Sequence, residues 1–125
     1  MKKGIFILAV FVFMSCKKGE DNSFDNQTFD KKETVADLGK NLFEGEGNCI
    51  ACHQADQKII GPSLQEIAKI YKEKNASIVS FLREESEPII DPSKYDIMKT
   101  NFAITEEMTD DQLKALEDYI LSFSK

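Results

Sequence analysis

The residues with the clearest capacity for chemistry are Cys49-Ile50-Ala51-Cys52-His53. Two thiols three positions apart, followed at once by an imidazole, form the attachment pattern for a c-type haem. Each thiol adds to one vinyl group on the same edge of the porphyrin. A two-residue gap lets one turn of backbone present both sulfurs to that edge. The adjacent imidazole then binds the iron from one face. Three other readings use fewer of these residues. A thioredoxin-like redox pair belongs after a strand in a βαβ unit, and no such pattern surrounds Cys49. A zinc site needs more ligands, yet the other Cys is Cys16 and His53 is the chain's one His. A structural disulfide gives His53 no role.

With one His in the chain, two-His ligation is impossible within it. A thioether sulfur is the next candidate, and His/Met ligation favours ferrous iron. Met1 and Met14 fall in the amino-terminal leader described below, which leaves Met98 and Met108. Met108 precedes a helix cap and has a packing role there. Met98 lies in an irregular apolar segment that can be draped across the second haem face, so Met98 is the preferred ligand. Plain core packing is the alternative for Met98, because Met fills irregular gaps well. In that case the iron is five-coordinate or held by a lysine such as Lys94 or Lys99.

The elements that must hold these groups are helical. Thr34 and Asp37 form a capping-box pattern, after which Val35, Leu38, Leu42 and Phe43 repeat at helical spacing and Gly45 and Gly47 stop the helix. Gly61-Pro62-Ser63 is a turn. Ser63 with Glu66 caps a second helix whose stripe is Leu64, Ile67, Ile70 and Tyr71. Ile59 and Ile60, just before that turn, are placed to cover a haem face. A third helix is predicted from about Ser77 to Glu84, ending before Pro88. The stretch Ile89 to Thr105 shows no sustained period and reads as an ordered loop. The last helix has Thr109 as its N-cap, Gln112 as the reciprocal partner, and Met108 with Leu113 as a hydrophobic staple. Leu113, Leu116, Ile120 and Phe123 form its inner face, with Tyr119 beside them.

At 125 residues the chain is one small domain with appendages. Residues 1–15 read as a signal peptide: Lys2 and Lys3 precede an apolar run from Ile5 to Met14 that is too short to span a bilayer. Phe13-Met14-Ser15-Cys16 resembles a bacterial lipobox, which makes Cys16 a lipid-anchoring residue. Residues 16–32 read as a polar tether and 33–125 as the folded domain. The formal charge is −6, and removal of the leader takes it to −8, with 14 basic residues against 22 acidic ones. Such an acidic balance argues against nucleic acid and suits a basic docking partner.

Taken together, these residues resemble the class I c-type cytochromes, small all-α proteins whose three to four helices wrap one covalent haem. The resemblance covers Thr34 to Phe123. Cys49, Cys52 and His53 match the haem motif. Gly39 and Phe43 match the first-helix Gly-x-x-x-Phe, and Leu116 with Tyr119 matches the Leu-x-x-Tyr of the last helix. In the family these two helices cross, the Gly permitting contact. The resemblance further implies that the Pro62 carbonyl accepts the proton on the free nitrogen of the proximal His. It makes Met98 the distal ligand, and it places Asn101, three residues on, in a hydrogen bond near that ligand. The chain departs from the family pattern where Lys99 follows Met98 in place of the common Pro, and it holds no Trp.

Two classes of function compete on this basis. The first is a monomeric one-electron carrier, not an enzyme, moving electrons between redox proteins outside the cytoplasm. The second is a haem enzyme or sensor, which needs a labile distal position and, for peroxide chemistry, a distal acid or base. A fixed subunit of a respiratory complex, anchored through Cys16, is a variant of the first.

Overall fold

A computed structural model describes residues 34–125. The expected leader 1–15 and the tether 16–32 with Cys16 lie outside the described residues. Six α-helices follow one another there, with no strand among the described residues. They are α1 (Val35–Glu44), α2 (Leu64–Glu73), α3 (Ile78–Leu82), α4 (Tyr95–Lys99), α5 (Phe102–Thr105) and α6 (Asp110–Leu121). None is long and apolar enough to cross a membrane.

Local chemistry sets the starts of the longer helices. In α1 the Thr34 hydroxyl accepts from the Asp37 N–H while the Asp37 carboxylate accepts from the Thr34 N–H, a complete capping box. The same reciprocal pair joins Thr109 and Gln112 at α6. At α2 the cap is half of the expected pair: Ser63 Oγ accepts from the Glu66 N–H. Met108 and Leu113, on either side of the Thr109 cap, are both buried, as a staple requires.

The helix ends are equally specific. α2 closes in a Schellman motif, with Ala76 N–H donating to the Tyr71 carbonyl and Asn75 N–H to that of Lys72; Asn75 takes the left-handed position at φ 49°. α3 ends in the same motif, where Glu85 N–H donates to Ser80 O and Glu84 N–H to Phe81 O. Here the left-handed residue is Glu84, at φ 57°. A left-handed conformation costs a residue with a Cβ about 1–2 kcal/mol. The third helix therefore stops at Leu82, short of the predicted Glu84, because the chain reverses hand at that residue.

α1 and α6 pack face to face, and α2 and α3 lean on α6 from other sides. The α1–α6 contact is close enough that a Cβ on Gly39 would lie 2.1 Å from the Ala115 carbonyl oxygen. Phe43 of α1 packs at a tilt against Tyr119 of α6, 5.5 Å between centroids, and Tyr119 meets Phe123 edge-on at 5.3 Å. The core behind this contact holds Leu42, Leu64, Ile78, Phe102, Leu113 and Leu116.

The stretch from Ile89 to Thr105 corrects the expectation of an ordered loop. It is ordered, but as a 3-10 turn, Pro92–Lys94, followed by α4 and α5. Each helix has only four or five residues, too few for a hydrophobic period to show. An aromatic cluster holds them: Tyr95 and Phe102 lie 5.9 Å apart, and both pack on Phe81 of α3, at 6.3 and 5.5 Å.

Candidate functional site

Between α1, α2 and the α4–α5 segment opens a cleft with about 1200 Å³ of empty volume, its open side included. An apolar cleft crossed by a few polar groups is the usual character of a cofactor site. Cys49, Cys52, His53, Met98 and Asn101 all line this cleft, among mostly apolar side chains such as Phe43, Ile67, Ile89 and Ile90.

The attachment residues are presented as their spacing requires. Asn48, left-handed at φ 47°, turns the chain out of α1 into a 3-10 turn, Cys49–Ala51. Asn tolerates that conformation better than most residues. Cys52 N–H and His53 N–H both donate to the Cys49 carbonyl, at 3.1 and 3.0 Å, which closes the turn and brings both thiols to the cleft.

His53 is oriented from behind. Its Nδ1 lies 2.8 Å from the Pro62 carbonyl oxygen. A carbonyl can only accept, so Nδ1 donates to it; in the neutral ring this leaves the lone pair on Nε2, the donor a metal needs. Gly61 makes room for the ring: a Cβ there would sit 2.5 Å from the imidazole Cε1. Gly61 N–H in turn donates to the Cys52 carbonyl at 2.9 Å, so the backbone carrying Pro62 is fastened to the motif it serves.

Burial pushes the Cys49 thiol up to about 11, with Cys52 adding to the effect. Neither Cys49 nor Cys52 is in a disulfide. Among the described residues no cluster of three or more His, Cys, Asp or Glu is arranged to hold a metal ion. Two thiols on one turn, one lone-pair imidazole and an apolar cleft are instead the donor set of a covalently held iron porphyrin.

A family model described as Cytochrome c matches residues 36–124. The chain belongs to the cytochrome c family. Cytochrome c-552 of Nitrosomonas europaea is 48% identical over 40 residues, which is 32% of this chain and 34% of that protein. The aligned region thus spans about a third of that relative's length. Both likenesses, and the small all-α fold, place this cytochrome among the class I c-type proteins, which carry covalently bound haem c with its iron; Cys49, Cys52 and His53 stand in the Cys-x-x-Cys-His pattern.

The remaining site residues of this cytochrome stand as follows. Met98 is half-buried near the end of α4 and lines the cleft, while Met108 is only 5% exposed, packs in the core and does not line it. Asn101 lines the cleft, and its Nδ2 donates to the Gly47 carbonyl at 3.0 Å, tying the α4–α5 junction to the segment that carries the thiols. Ile60 lines the cleft mouth and is 51% exposed; Ile59, at 42%, does not reach the cleft.

Sequence reasoning missed several contributors. Gly61, beside Pro62, showed only as part of a turn. Asp91 lines the cleft and accepts from Lys58 Nζ at 3.1 Å and Ser93 Oγ at 2.6 Å, bonds that hold its carboxyl below the usual range. Tyr71 also lines it, and burial together with the charge of Glu117 pushes its phenol up to about 12. Ser93 is a neighbour of Asp91 within one turn, but Lys58 lies 33 residues from Asp91 and Glu117 lies far from Tyr71, so no spacing announces those pairings.

Proposed function

We propose that this cytochrome is a one-electron carrier whose haem iron is held by His53 on one side and Met98 on the other. One observation carries the reading: Met98 and His53 line the same apolar cleft as the two thiols, while Met108 is committed to the core. The bound haem supplies a metal that changes charge by one electron. The protein does the rest. Pro62 fixes the His53 tautomer and ring plane. The apolar walls limit water at the site, and the Met98 thioether, as a second ligand beside His53, would favour the ferrous state. Two protein ligands leave no open position for substrate, so charge moves and no bond is made.

Export through the leader 1–15, a lipid on Cys16, and redox partners outside the cytoplasm, with basic docking surfaces against the −8 mature charge, complete the proposal. An intact mass of the mature protein reports haem, leader removal and acylation in one measurement.

The decisive variant is Met98→Ala. A ligand that favours ferrous over ferric iron by roughly 100-fold raises a one-electron potential by about 120 mV, so its loss is expected to lower the potential by that order. Carbon monoxide and cyanide should then bind rapidly where the native protein binds them slowly. If potential and spectrum are both unchanged in Met98→Ala, the ligand assignment is wrong. Rapid, tight binding by the native protein would point instead to a sensor or peroxidase-like enzyme.

A further inference from the structure

The residue that ends α3 has no conformational reason to be glutamate. Glu84 occupies the left-handed position of a Schellman motif, at φ 57°, where glycine is the usual occupant. Among the described residues the other non-glycine positions at positive φ are Asn48 and Asn75, and Asn enters that region readily. Glu84 is therefore the outlier, and a strained residue that persists points to a use for its side chain.

That side chain reaches the helix bearing Met98. Glu84 Oε1 accepts from the Tyr95 hydroxyl at 3.5 Å and lies 3.6 Å from Lys99 Nζ. Tyr95 and Lys99 are the first and last residues of α4, four apart and so on one face. Lys99 Nζ also stands 5.9 Å from the centre of the Tyr95 ring. One carboxylate thus lies within reach of both ends of a single-turn helix from outside, while the Tyr95 ring packs on Phe81 and Phe102 and lines the cleft. α4 has no side-chain cap at its start, and five residues are too few to be stable alone.

We propose that Glu84 is a positioning residue for the distal ligand: it clamps α4 against the cleft so that the Met98 sulfur stays on the iron. The proposal rests on the reading of Met98 as that ligand. It explains why the position holds Glu in place of Gly. Backbone strain is retained there because the side chain restrains the helix from which the ligand projects.

The test uses the haem-loaded protein and separates restraint from general stability. In Glu84→Gly the strain is relieved and the clamp is gone. The expected result is a thermal unfolding midpoint equal to or above the native one, with cyanide binding to the ferric protein accelerated roughly fivefold or more, the factor that goes with about 1 kcal/mol. Glu84→Gln keeps an acceptor for Tyr95 but loses the charge facing Lys99, so its cyanide rate should fall between the two. Met98→Leu is the control for the ligand assignment. If Met98→Leu alters potential and spectrum but both Glu84 variants bind cyanide at the native rate, the clamp is refuted and the ligand reading stands. If Met98→Leu changes nothing, the ligand reading fails and the clamp falls with it.

Discussion

His53 is held on two edges by groups that contribute no metal-binding atom. Pro62 supplies only a carbonyl and Gly61 only the lack of a side chain. Gly61→Ala would place a methyl 2.5 Å from Cε1 and must tilt the ring or move the backbone. Overpacking of this kind costs roughly 1–3 kcal/mol. We expect denaturant unfolding of Gly61→Ala to show a loss of that size, together with a shifted reduction potential, since the imidazole plane moves with respect to the iron. A variant that loses stability while keeping the native potential would show that the glycine serves packing alone. At this scale the attachment motif was fully legible, because its chemistry is local in sequence. The Pro62 carbonyl followed only from family resemblance, and Gly61 from neither, since a residue that acts by its absence leaves no chemical signature.

The helices depend on two contacts between residues far apart in the chain. Gly39 lets α1 touch α6, and in Gly39→Ala the new Cβ would meet backbone at Ala115, which cannot rotate away. A loss of at least about 1–3 kcal/mol in unfolding free energy is expected there. The second contact is Glu117 of α6, whose Oε1 accepts from the Ile78 N–H at 2.7 Å and from the Ser77 hydroxyl at 3.1 Å, so one helix caps the start of another. Lys114 Nζ donates to Oε2 at 3.1 Å. Burial works to raise the Glu117 carboxyl, but Lys114 and the α3 N–H groups outweigh it, and it ends below its ordinary 4.5.

A carboxyl depressed in the folded state stabilises fully above its unfolded value and loses that contribution as pH falls through the folded one. Urea unfolding at neutral and at acid pH should therefore show the native protein weakening below about 4.5, and Glu117→Ala weakening less over the same interval. At neutral pH that variant leaves buried donors unpaired and should lose about 1–3 kcal/mol. Equal pH slopes in the two proteins would rule Glu117 out as the source. The caps at Thr34, Ser63 and Thr109 were readable because capping partners sit three residues apart. Glu117 and Ile78 are 39 residues apart, and α4 and α5 are too short to carry a period.

For the molecule as a whole, the cleft is the interior of a small domain, and its walls are apolar. A chain of this size buries a modest fraction of its surface without help, so cofactor and fold depend on each other. We expect the double variant Cys49→Ala, Cys52→Ala, produced without attached haem, to lose fixed tertiary packing. Near-ultraviolet circular dichroism should flatten, a hydrophobic dye should bind, and part of the helical signal should remain. A sharp, native-like unfolding transition in that variant would mean that the helices alone sustain the fold.

The pairing of α1 with α6 carries a consequence for biogenesis. The thiols sit just after the first helix, and the surface which that helix must cover belongs to the last. During synthesis or translocation from the amino end, the paired sulfurs emerge long before Ala115 and Tyr119 exist to seal against Gly39. The motif is thus presented to any attachment machinery on an unclosed segment. The α1–α6 contact can close only once the carboxyl end has arrived, so chain order leaves an interval in which ligation can come before closure.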